Sequence, residues 1–67
     1  MPQGQVTKWV AGADQGVITG DDGQEVGFTR EELADKNTVG NLTEGLRVDY
    51  DIREDGGERT GWNVRLL

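Results

Sequence analysis

Three cations, Lys8, Arg30 and Arg59, and two indoles, Trp9 and Trp62, are the side chains in this 67-residue chain best suited to holding a ligand. Cations bind phosphate or carboxylate groups, and an indole stacks on a flat ring or anchors a protein contact. Each has two readings. The cations form a small basic rim for phosphates or an acidic partner, or they are scattered solvated charge. Trp9 stacks on a base, or it covers a sheet edge as a partly buried aromatic. Trp62 fills space in the packing, or it stands exposed as an anchor for a protein partner. Asp21, Asp22 and Glu25 offer oxygen ligands, but they lack the spacing of a calcium loop and turn chemistry accounts for them. With no cysteine and no histidine, thiolate or imidazole ligation, thiol nucleophiles and histidine acid-base work are excluded. No carboxylate pair accompanies a recognisable nucleophile, so the expectation is a non-enzyme with no cofactor, no metal and no small-molecule substrate.

The elements that position these residues must come from a small domain. A chain of 67 residues without a disulfide lies near the lower limit for a self-sufficient core, which favours one compact, closed domain spanning 1-67. Seven Lys and Arg against thirteen Asp and Glu leave a net charge of -6. That argues against gripping phosphates by bulk charge, although a stacking platform needs only a local basic rim. The opening residues carry no basic segment followed by an apolar run, and no stretch approaches the ~20 apolar residues of a membrane span. The expectation is a soluble, cytoplasmic monomer with no membrane contact.

The clearest local signal is Gly16 to Arg30, two apolar strands around the turn Gly20 to Gly23, where Asp and Gly supply positive φ. Before it, Gln5 to Val10 reads as a first strand whose mixed pattern is compatible with a bulge, with Val6, Lys8 and Val10 on one alternating set and Trp9 on the other. Gln15 to Thr19 is the second strand and Glu25 to Thr29 the third. Thr29 to Glu32 fits a capping box, which predicts a helical turn from Arg30 to about Lys36. Residues 37 to 45 are loop chemistry anchored by Leu42. Val48, Tyr50 and Ile52 alternate with Asp49, Asp51 and Arg53 as a half-buried fourth strand. Asp55-Gly56-Gly57 turns the chain, and Trp62, Val64 and Leu66 alternate along the fifth. Five short strands with a helical turn between the third and fourth indicate an all-β, five-stranded antiparallel barrel of the OB type, with an SH3-like barrel as the nearest competitor.

Over essentially its whole length the sequence resembles the bacterial cold-shock protein family. Gly4-Gln5-Val6 resembles that family's Gly-Lys-Val start. Gly16 and Ile18 fall on the Gly and Ile of its first RNA-binding motif, Val26 opens the stretch similar to its second, and Leu42-Thr43-Glu44-Gly45 and Asn63-Val64 match later segments. The resemblance implies an OB barrel that binds single-stranded RNA or DNA on one face of the second and third strands, through aromatics worth ~1–3 kcal/mol per stacked base.

The departures fall on that face. The family's motif-one phenylalanines correspond to Gln15 and Val17. The Phe, His and Phe of motif two correspond to Gly27, Thr29 and Arg30, and the first-strand Trp corresponds to Lys8, with Trp9 matching the Phe beside it. Four lost stacks at the low end of the range remove about 4 kcal/mol, roughly a thousandfold in affinity if additive. The apolar scaffold of Val6, Ile18, Val26, Phe28, Val48, Ile52 and Val64 is kept.

Three functions follow as expectations. The first is a non-enzymatic binding module in gene-expression regulation with attenuated nucleic-acid binding and a protein partner. The second is a weak single-stranded RNA or DNA binder using Trp9, Lys8 and Arg30. The third is an acidic mimic of nucleic acid built on Asp49, Asp51, Glu54, Asp55 and Glu58, for which a solvated strand face is the simpler account.

Overall fold

The computed structural model describes residues 2–67. Its strands are β1 (Gln3–Val10), β2 (Gln15–Gly20), β3 (Glu25–Thr29), β4 (Arg47–Asp55) and β5 (Glu58–Leu66), closed into a barrel in the order β1-β2-β3-β5-β4. The architecture is the expected all-β, OB-like barrel. One pairing departs from the antiparallel rule: β3 meets β5 in parallel, through the single pair Gly27↔Thr60. The barrel therefore closes across a thin seam, which leaves most of the facing edges of β3 and β5 without ladder partners in each other.

Two turns are dictated locally. Gly23 takes φ +86° and donates its N–H to the Gly20 carbonyl, while Gln24 N–H donates to Asp22 Oδ1. At the β4–β5 tip both Gly56 and Gly57 have positive φ, as a two-residue turn that matches strand twist requires. The core comprises Val6, Ile18, Val26, Phe28, Leu33, Leu42, Val48, Tyr50 and Val64. Ile52, expected in it, is only half-buried. β4 is paired on the β1 side only as far as Tyr50, whose N–H donates to the Pro2 carbonyl, so Ile52 has β5 alone beside it and packs against the core from its margin.

The helical turn expected from Arg30 to Lys36 is instead two 3-10 turns, Arg30–Glu32 and Lys36–Asn41. The capping box starts the first: Thr29 Oγ1 accepts the Glu31 N–H, and Glu32 Oε1 accepts the Thr29 N–H. Leu33 then stops it. Its side chain is buried and its extended backbone bridges Val64, which a continuing helix would forbid. The second turn is capped by Asp35, whose carboxylate accepts the Asn37 N–H. It covers much of the stretch expected as loop, and Leu42 follows it into the core.

Two bulges reset which residues face outward. On β1 the register jumps between Val6↔Ile18 and Lys8↔Val17, so Thr7 is an extra residue. Val6 and Lys8, expected on one face, therefore lie on opposite faces. On β5 three residues, Trp62 to Val64, span the interval that Asp51 to Tyr50 spans on β4. Asn63 absorbs the extra residue with φ +52°. Trp62 consequently leaves the face of Val64 and points outward, contrary to the simple alternation. Asn is among the few residues that accept this backbone region. Asn63→Val is expected to lower stability by ~1–2 kcal/mol in urea titration, whereas Asn63→Gly should be near neutral.

Candidate binding face

The barrel's strand register builds one continuous outer row: Lys8 on β1, Val17 on β2, Gly27 on β3 and Thr60 on β5. The next row is Val10, Gln15 and Thr29. Lys8, Gln15, Val17, Gly27 and Thr29 are thus brought together on one surface. No aromatic stands in either row, so the face is shallow and lacks a stacking ring. Gly27 leaves a gap in it, since a Cβ built there would find only the Gly16 carbonyl oxygen, 4.0 Å away.

Trp9 does not join this surface. The Thr7 bulge turns it to the inner face, opposite Gly16, where it is half-buried and stacked on Phe28 with centroids 5.5 Å apart and planes at 24°. Gly16 makes that contact possible by having no side chain, because Trp9 and Phe28 close over it from either side.

The three cations do not converge. Lys8 lines a shallow groove with Val10, Gln15 and Val17. Arg59 lies at the far end of the row, three strand spacings or roughly 14 Å across the sheet, where it pairs with Glu54 at 3.5 Å and donates to the Gln24 side chain. Arg30 is exposed at the start of the first 3-10 turn, with its backbone N–H donating to Asp14. Neither Lys8 nor Arg30 forms an ion pair with another described residue.

Trp62 is 41% exposed and carries Arg53 on its ring, with Cζ 4.0 Å from the centroid. The pair is diagonal across β4 and β5, since Trp62 faces Asp51 and Arg53 faces Thr60. A groove of about 190 Å³ lies beside it, lined by Glu32, Arg53, Asp55, Thr60 and Gly61 as well as the indole. A neighbouring groove of about 240 Å³ crosses the β3–β5 seam at Gly27 and Thr60 and reaches Gln15, Thr29, Glu32 and Arg59.

Arg53 and Thr60 were not among the candidate binding residues read from sequence, and Glu32 was read there chiefly as the capping-box residue. Arg53 was visible as an outward position on the fourth strand, but its partner Trp62 depends on a register that only the β5 bulge defines. Thr60 was missed because the fifth strand is read only from the alternation of Trp62, Val64 and Leu66. The earlier start follows once Gly56-Gly57 is read as a two-residue hairpin turn.

The groups with displaced acidities lie elsewhere. Arg47 donates two hydrogen bonds to Asp21, at 2.8 and 3.0 Å, and holds that carboxyl below its usual range while tying the β2–β3 turn to β4. Burial, assisted by Asp22 and Asp21, raises the Tyr50 phenol. No helix among the described residues is long and apolar enough to cross a membrane. No protein-family model matches the chain, and no curated protein is significantly similar to it.

Proposed function

We propose that this chain is a non-enzymatic, cold-shock-like binding module in the regulation of gene expression, with weak direct nucleic-acid binding and a protein as its principal partner. The observation that carries the reading is the distribution of aromatics. The row Lys8, Val17, Gly27, Thr60 has none, while Trp62 stands exposed beside two grooves with Arg53 against its ring. Stacking on bases needs rings on the first surface, whereas Trp with Arg is the composition of a protein-contact hot spot. The place in gene expression rests on the sequence resemblance alone.

A second reading, weak single-strand binding, is favoured by Lys8 and Arg30 having no ion-pair partner among the described residues. Trp9 contributes little to it, being stacked inward on Phe28. Titration of labelled oligo-dT and oligo-U at low salt separates the two. The expected result is no saturation below ~100 μM strand, the weak end of non-specific binding. Tight, saturable binding that weakens with salt and disappears in Lys8→Glu/Arg30→Glu would overturn the first reading in favour of the second.

A further inference from the structure

The two grooves meet at Glu32 and Thr60 and form one trough, which runs from the gap over Gly27 across the β3–β5 seam to Trp62. We infer that this trough receives an extended, basic segment of the protein partner, with lysine or arginine side chains along the seam and an apolar residue against Trp62. The inference rests on the protein-partner reading above and names the chemistry of that partner.

Shape argues for an extended chain. The seam is held by one β pair, Gly27↔Thr60, until Leu33 bridges Val64, with the first 3-10 turn, Arg30–Glu32, between them in place of a paired strand. Gly27 projects no side chain into the trough, and a Cβ built there would meet only the Gly16 carbonyl oxygen at 4.0 Å, so a backbone can approach closely at that point. An added strand gains affinity from main-chain hydrogen bonds, and its alternate side chains reach pockets on either hand.

Charge argues for a basic one. Glu32, Asp55 and Glu58 stand along the trough against two cations, Arg53 on the Trp62 ring and Arg59 on Glu54 and Gln24. Glu32 is held in the Thr29 capping box, and Asp55 and Glu58 form no ion pair with another described residue. The whole chain carries a net charge of -6, which attracts a cationic segment and repels a phosphate backbone. Trp62 supplies the anchor, since Arg53 already lies on its ring and the exposed remainder of the indole accepts apolar contact.

The test uses the full chain, calorimetry and backbone-amide NMR with three octapeptides. All alternate the same phenylalanine and valine residues with lysine, glutamine or glutamate. The lysine peptide should bind saturably, more weakly as salt rises, with shifts concentrated at Gly27, Glu32, Thr60 and Trp62. Trp62→Ala should weaken it ~30-fold, and Asp55→Lys/Glu58→Lys about tenfold. Unchanged dispersion of the amide spectrum checks that each variant is folded. If the glutamine or glutamate peptide occupies the trough as tightly, the basic class is overturned and the protein-partner reading stands. If no peptide binds and oligo-U shifts Lys8 and Val17 instead, both fall. Lysine-peptide binding that Trp62→Ala leaves unchanged also overturns the inference.

Discussion

Phenylalanine placed at both Val17 and Gly27 is expected to raise affinity for oligo-dT about thirtyfold over the parent chain. The two positions are direct partners across β2 and β3, on the outer surface, so two rings there would stand side by side about 4.8 Å apart. Each base stacked is worth ~1–3 kcal/mol, and two at the low end give that factor. The structure has room for them. Gly27 has no neighbour closer than 4.0 Å to a built Cβ, and Val17 is only half-buried. Fluorescence anisotropy at fixed low salt measures the gain, and each single variant should show about a fivefold part of it. A double variant that folds normally and gains nothing would mean that missing rings are not what limits this face.

The second large effect concerns stability. Gly16→Ala should cost at least 2 kcal/mol, read as a lower urea midpoint with unchanged slope. A Cβ at Gly16 would lie 2.5 Å from the Lys8 carbonyl oxygen, 2.8 Å from Trp9 Cε3 and 2.9 Å from Phe28 Cε1. The carbonyl belongs to a paired strand and cannot retreat cheaply, and the rings are stacked on each other. For a domain this small the whole stability is of order 5 kcal/mol, so the loss is a large fraction. The emission of Trp9 should move to longer wavelength as its ring is forced away from Phe28. A change under ~0.5 kcal/mol would contradict the described closure of the two rings over Gly16.

These two glycines show what sequence could and could not convey. The hairpin of β2 and β3 was legible because its determinants are local: turn residues at Gly20 to Gly23, apolar alternation, and the Thr29 capping box that ends β3 where it was expected. The barrel followed from strand count and chain length. Facing was legible only where alternation ran unbroken. At Thr7 and Asn63 one extra residue reverses every side chain beyond it, and a bulge is set by the register with the partner strand, which alternation along one strand does not reveal. That is why Trp9 turned inward and Trp62 outward. The mixed pattern of Gln5 to Val10 hinted at the first bulge, and Asn63 was a weak sign of the second. The trough was out of reach for the same reason, since Glu32, Thr60 and Trp62 adjoin only once the barrel has closed.

The parallel seam also bears on how the molecule assembles. β1 with β2, β2 with β3, and β4 with β5 are each neighbours in the chain and joined by short turns, so they pair after brief searches. Gly27 and Thr60 are separated by half the molecule and gain only one β pair on meeting. The entropy of closing so long a loop is repaid only when Leu33 and Val64 dock as well. The other long-range closure, β1 with β4, gains three pairs against this one, so the seam is expected to close after it, and the trough comes into being with it. The surface assigned to a partner is created by the last event that makes the barrel whole, so an unfinished chain presents no such surface.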